Sequence, residues 1–372
     1  MKWFFWSSVA VIAYTYFGYP AWLWVRGRWK SAPVRRAEFL PSISIVMVVR
    51  NEMAILDRKL RNLLSLNYPA DKCEIVILSD GSSDGTERAL REHASSRIRS
   101  VLLTEARGKA AGLNEALNIA TNDVVVFTDA RQEIESGALQ LLMENFADPS
   151  VGCASGELLL GDPHAGESAR GVGLYWRMEK QIRQAESASG SVVGATGAFY
   201  AVRRKLLVSV PVDTILDDVF IPMNVVRQGF RVVFDERAHA WDLASQGTGR
   251  EFARKVRTLT GNYQLLQLAP WLLTRQNPIR FEFVSHKLCR LIVPFALATT
   301  LVTSALLTGA FFRTLLLLQL AFYALGLLAI VQAGRGLLAR GADAAFTFVL
   351  LNVAALVAFA KFVSGRKPVW TR

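Results

Sequence analysis

The chain has 372 residues, 52% of them hydrophobic, and a formal net charge of +12. That length admits one catalytic domain together with several apolar helices. From three scattered cysteines, Cys73, Cys153 and Cys289, no disulfide framework or thiolate metal site follows. Without zinc-finger spacing or a long basic arm, the positive charge points to an anionic membrane surface rather than to nucleic acid.

Residues 3–25 run uncharged, with Trp3, Trp6, Trp22 and Trp24 near the two edges. This predicts a membrane-spanning helix with interfacial aromatic rings. Arg26, Arg28, Lys30, Arg35 and Arg36 follow it. Positive charge on that side predicts that the next domain is cytoplasmic and the N-terminus outside.

Ile43–Val49 is an apolar β-branched run, as in a strand buried on both faces. A helical pattern over Met53–Leu66 follows, then a strand at Glu74–Leu78 and the turn SDGSSDGT. Asp84 with Glu87 three residues on predicts a capped helix. A strand at Ile98–Leu103, a helix at Lys109–Ala120 and a strand at Asp123–Thr128 continue the rhythm. Alternating strand and helix predict an α/β domain with a parallel sheet, whose ligands bind at the carboxyl ends of the strands. The polar groups fall there. Arg50, Asn51 and Glu52 follow the first strand, Asp80 the second and Asp129 the fourth, while Asp217 and Asp218 open a later helix. An acid before a helix is ordinarily a cap, but four such clusters at the strand ends of one sheet suit phosphate and sugar chemistry. A departing diphosphate needs its charge neutralised by a cation or by cationic side chains, and an attacking hydroxyl needs a base. The G-x-G-x-x-G of a dinucleotide-binding turn is absent: the chain reads VVRNEMA there. The four histidines show no ligand spacing. Three further apolar segments, roughly 291–309, 314–333 and 345–363, predict membrane helices near the C-terminus. The last is expected to span or to lie at the interface.

The ordered set SIVMVVRNE, ILSDGSSDGT, RGKAAGLNEAL, VVVFTDA and LDD, spread over some 200 residues, resembles the family 2 glycosyltransferases with their GT-A type fold. The flanking apolar segments are similar to the membrane-bound branch that makes polysaccharides. The resemblance implies residues 1–30 as an N-terminal transmembrane helix, 40–245 as a GT-A domain, 246–285 as interfacial helices and 286–372 as a C-terminal transmembrane region. It implies a multi-pass protein of a bacterial inner membrane with its catalytic domain in the cytoplasm. The expected activity is inverting transfer from a nucleotide-diphosphate sugar, a UDP-sugar first, to a lipid-linked or polysaccharide acceptor. The alternative is a catalytically impaired scaffold subunit of a polysaccharide assembly complex, with partner membrane subunits.

By the same resemblance, Arg50, Asn51, Glu52, Asp80, Lys109, Asp129 and Arg131 bind the nucleotide sugar. Gly194, Ala195, Thr196, Gly197 and Arg254 face the acceptor. Asp218 is the base, with Asp217 beside it, and Arg257 meets the departing diphosphate. Asp129 is the metal ligand for Mg²⁺ or Mn²⁺. The chain departs from the family pattern at three places. Ser79 stands where many members carry an Asp. The D-x-D reads Asp129, Ala130, Arg131, leaving Arg131 or Glu133 to supply the missing charge. The Q-x-x-R-W keeps only Arg257.

Overall fold

The computed structural model describes residues 1–161, 174–242, 248–331 and 337–365. The chain enters through α1 (Lys2–Ala13), which passes through a π turn at Tyr14–Gly18 into α2 (Tyr19–Trp29). Pro20 follows that turn directly; it lacks an N–H and crowds the carbonyl four residues back, and the wider turn accommodates both.

β1 (Ile43–Val49), α3 (Met53–Leu64), β2 (Cys73–Asp80), α4 (Thr86–Glu92), β3 (Ile98–Leu103), α5 (Lys109–Ile119) and β4 (Val124–Thr128) follow in the expected alternation. β5 (Glu133–Ile134), α6 (Ala138–Glu144), β6 (Val151–Leu160), α7 (Leu174–Ser189), β7 (Phe199–Arg203), α8 (Asp217–Arg227) and β8 (Arg231–Asp242) complete the domain. The eight strands lie in the order β3-β2-β1-β4-β7-β6-β8-β5. The first four are parallel, as expected. The remainder of the sheet is mixed, because β7 runs antiparallel to both β4 and β6 while β8 runs parallel to β6.

Every residue of β1 is buried. Ile43, Ile45, Met47 and Val49 join Leu56, Leu60 and Leu63 of α3 on one face. Val46 and Val48 join Ala110, Leu113 and Ala116 of α5 and the apolar side of α8 on the other. This is a three-layer sandwich whose central strands have no polar face, which is why their sequence does not alternate. The parallel strands therefore end together at one rim, and each expected polar cluster is carried there.

α9 (Thr248–Leu268) leads to α10 (Arg280–Phe283), which runs through a π turn at Val284–Leu288 into α11 (Cys289–Leu306); α12 (Ala310–Val331) and α13 (Leu337–Val363) follow. Among the described residues three helices are long and apolar enough to cross a membrane: Arg280–Leu306, Ala310–Ala329 and Leu338–Val363. The first of them begins well before the expected residue 291. The N-terminal helix lies alongside this group, with Phe5 against Phe312 and Tyr16 against Phe348. On the other side, Tyr263 of α9 stacks on Phe362 of α13. The tail from residue 366 and residues 332–336 lie outside the described residues.

Candidate active site

Two loops are stitched together at the rim. Asn51, in the left-handed region at φ 54°, donates its amide to Ser82 Oγ, and its side-chain oxygen accepts from the Ser83 amide. The Glu52 amide donates to Thr86 Oγ1 and the Met53 amide to Asp84 Oδ2. The segment that carries Arg50, Asn51 and Glu52 is thus fixed to the turn after β2. Asp80, fully buried, accepts from the Arg107 amide at 2.7 Å and the Gly108 amide at 2.9 Å. Its carboxylate clamps the backbone immediately before α5 and so places Lys109, the first residue of that helix.

The Lys109 ammonium lies 3.1 Å from Asp129 Oδ1 and 3.3 Å from Asp217 Oδ2. Burial alone would lower its pKa, but Asp129, then Asp217 and Asp218, hold it above the ordinary lysine value. Asp218, next to Asp217 on the first turn of α8, is half-buried. Burial, and after it the Asp217 carboxylate, push the Asp218 carboxyl up to about 6 against the pull of Lys109 and Lys287. Around it wraps the loop Gly194–Gly197. The Ala195 amide donates to the Asp218 carbonyl, and Gly194 holds φ at 86°. A Cβ on Gly197 would stand 2.9 Å from Asp218 Oδ2. Lys109, Asp129, Asp217 and Asp218, from three separate elements, therefore meet in one cleft beside this loop.

Other expected residues stand apart from that cluster. Arg131 turns to Asp242 at the end of β8, 2.7 Å away, and Arg254 reaches the same carboxylate at 3.6 Å. Arg257 is exposed on α9.

Against known proteins, residues 44–210 match the model of glycosyl transferase family 2. They form a family 2 glycosyltransferase domain. The similarity to poly-β-1,6-N-acetyl-D-glucosamine synthase of Staphylococcus aureus (strain COL) is 28% identity over 239 residues, 61% of this chain and 56% of that one. The protein of the same name from Staphylococcus epidermidis is 27% identical over 241 residues, 62% of this chain and 56% of its own. The chain spans about half the length of these relatives. A mannosyltransferase from Pyrobaculum calidifontis, solved in complex with GDP-Man and Mn²⁺, superposes with a TM-score of 0.75 at 24% identity, covering 96% of this chain and 98% of that one. That likeness shows a shared fold over 96% of the chain.

The glycosyltransferase domain contains no group of three or more His, Cys, Asp or Glu able to hold a metal, among the described residues. A divalent ion that keeps its waters and rests mainly on a substrate diphosphate needs only one or two carboxylates. Asp129, on the cleft side and partly exposed, fits that lesser role.

Three residues of the site were not singled out by sequence reasoning. Asp242 ties Arg131, Gln132 and Arg254 together. Tyr200 on β7 is fully buried against Phe127, and its hydroxyl has no hydrogen-bond partner among the described residues. Burial, then Asp217 and Asp218, raise its pKa well above the ordinary phenol value. Lys59 is 1% exposed and donates to Thr128 Oγ1 at 3.0 Å and the Gln132 carbonyl at 2.7 Å, bracing the segment that carries Asp129. It completes the stripe Leu56, Lys59, Leu60, Leu63 on the inner face of α3, and a lysine in an apolar stripe is a legible signal.

Two consequences can be measured. Gly197→Ala forces the Asp218 carboxylate to move, and transfer falls about tenfold or more with the melting temperature little changed; unaltered turnover would show that this contact does not locate Asp218. Burial pushes Lys59 down to about 7 against the pull of Asp129 and Glu133. A lysine whose folded value lies below its unfolded one adds stability as pH rises between those two values. The melting temperature therefore climbs from about pH 6.5 to about pH 8.5, and Lys59→Met flattens the climb. An equal slope in the variant would assign it to other groups.

Proposed function

We propose that the chain is a membrane-bound inverting glycosyltransferase that moves a sugar from a nucleotide-diphosphate donor to a lipid-linked or polysaccharide acceptor. The observation that carries this reading is the Lys109 ammonium held between Asp129 and Asp217, with the Asp218 carboxyl pushed up to about 6 beside them. The names of the relatives make UDP-N-acetylglucosamine the first donor to test, and the fold neighbour makes GDP-mannose the second.

The chemistry follows from the cleft. Asp218, ionised at neutral pH yet more basic than an ordinary aspartate, accepts the proton of the acceptor hydroxyl as that oxygen attacks the anomeric carbon. A single displacement leaves the configuration inverted. Lys109 meets the charge that develops on the departing diphosphate, and its two carboxylates fix it there beforehand, so little reorganisation is needed. Mg²⁺ or Mn²⁺ carried by the diphosphate and Asp129 would add further neutralisation. Arg131 and Arg254, both on Asp242, and Arg257, exposed on α9, are further cations. Arg50, Asn51 and Glu52 in the stitched loop, with Asp80 beneath, are assigned to the nucleoside. The Gly194–Gly197 loop faces the acceptor. Membrane residence on the cytoplasmic side of a bacterial inner membrane rests on the three apolar helices and on the basic residues in the last turn of α2 and just after it.

The test is a panel of nucleotide sugars given to the full chain in detergent or nanodiscs, scoring nucleotide release with Mg²⁺ or Mn²⁺ present. At least one donor is consumed, and Asp129→Ala lowers the rate about a hundredfold. A folded protein that consumes none would overturn the reading in favour of a scaffold subunit.

A further inference from the structure

Between the cleft and the apolar helices stands α7, and its charged residues face two ways. Glu179, Arg183 and Glu186 follow each other at four- and three-residue steps, the spacing of one helix face. Glu186, 1% exposed, accepts from the Tyr19 hydroxyl of α2 at 2.6 Å and lies 2.8 Å from His286 Nδ1. Glu179 lies 3.0 Å from Nε2 of the same ring and 2.6 Å from Arg290 Nη1. His286, 1% exposed, and Arg290 belong to the first of the three helices long enough to cross a membrane. Arg26 of α2 adds an ion pair to Glu282 of that helix and donates to the Ser189 carbonyl at the end of α7.

The other direction leads to the base. Arg183 Nε is 3.6 Å from Glu179 Oε1, and its Nη1 donates to Thr196 Oγ1 at 2.7 Å. Glu186 Oε2 accepts from the Val193 amide. Val193 and Thr196 flank Gly194 and Ala195, whose backbone holds the Asp218 carbonyl, and Gly197 abuts the Asp218 carboxylate. Each glutamate thus has partners in the helices beside the membrane segments and a path to the loop that locates Asp218. Burial opposes ionisation of both, yet Arg290 and His286 hold Glu179 well below the usual carboxylate range, and His286 with Tyr19 holds Glu186 below it. A surface helix needs no such buried charges, which stabilise only when every partner is in place.

We infer that α7 couples the position of the apolar helices to the base: Glu179, Arg183 and Glu186 are positioning residues that register the Gly194–Gly197 loop, and with it Asp218, against His286 and Tyr19. The inference rests on the glycosyltransferase reading of the cleft. None of the three residues touches the Lys109–Asp129–Asp217 group that would hold the diphosphate, so donor binding is independent of them. What they govern is whether the acceptor hydroxyl meets Asp218 in line.

The test uses the full chain in nanodiscs with the donor found by the panel. Arg183→Met removes the link to Thr196 together with the ion pair to Glu179, and Glu179→Gln removes the charge at its centre. Lys180→Met is the control: it breaks ion pairs of α7 to Glu157 and Glu236 on another side of the helix. In Arg183→Met, kcat falls about ten- to a hundredfold, the donor KM stays within twofold, and more sugar is released to water per nucleotide formed. Arg183→Lys, which retains a cation beside Glu179, recovers part of kcat, and Lys180→Met stays within twofold of the wild type. The inference is overturned if Arg183→Met behaves as Lys180→Met does, or if its loss appears as a proportionate rise in donor KM. A wild-type chain that consumes no donor removes the glycosyltransferase reading itself, a result distinct from an active wild type with unaffected variants.

Discussion

Asp218→Asn is expected to lower turnover about a thousandfold while leaving the donor KM close to the wild-type value. The amide fills the same space beside Gly197, but it cannot take a proton from an attacking hydroxyl. Nothing in the diphosphate end of the cleft changes, because Lys109 keeps its contacts with Asp129 and Asp217. In the wild type, kcat/KM falls as pH drops through about 6, where Asp218 becomes protonated; in the variant that limb disappears along with the activity. Stability moves the other way. A carboxyl raised above its unfolded value holds a proton more tightly in the folded chain, so its ionisation removes stability as pH rises through the folded value. Replacing it with a neutral amide therefore raises the melting temperature at neutral pH, as expected where a functional group is kept at the expense of stability. A variant with more than a tenth of wild-type turnover would show that the proton goes elsewhere.

The parallel half of the sheet was legible because its strands are buried on both faces, and an uninterrupted run such as ISIVMVV has no other economical explanation. The mixed half was not. β6 reads VGCASGELLL, where Gly152 and Gly156 admit close approach of Leu206 and Phe199, and small residues of this kind carry little strand signal. The site shows the same division. Lys109, Asp129, Asp217 and Asp218 each follow a recognisable strand end or helix start, so their convergence could be expected from the rim of the sheet. Asp80 was expected to face a nucleotide; both its oxygens accept backbone amides of the loop that places Lys109. Asp242 and Tyr200 matter through partners distant in sequence, which no local pattern encodes. α7 carries no local signal of this role, since its charges acquire partners only when α2 and the Arg280–Leu306 helix close around it.

Lys109→Met carries the second large effect, because one ammonium serves two acids and stands beside a third. Without it, Asp129, Asp217 and Asp218 face one another with no cation at their centre, and like charges in a partly buried cleft favour protonation. Asp218 already stands at about 6 with Lys109 opposing the rise. Removing that opposition moves the acid limb of kcat/KM upward by about one pH unit. The loss at the plateau comes from the leaving group: a pre-placed donor to a developing oxyanion is worth about a hundred- to a thousandfold in rate. The two effects separate experimentally, since the limb shift is read from the pH profile and the plateau loss from turnover well above it. Lys109→Arg keeps the charge, so it retains the wild-type limb even where the longer fork fits the diphosphate poorly. The space vacated in Lys109→Met lies between two carboxylates, the donor set that suits Mg²⁺ or Mn²⁺. Raising either ion therefore restores turnover in the methionine variant more steeply than in the wild type. A limb that stays in place in Lys109→Met would mean that Asp218 does not sense this lysine, and the electrostatic account of the base would have to be abandoned.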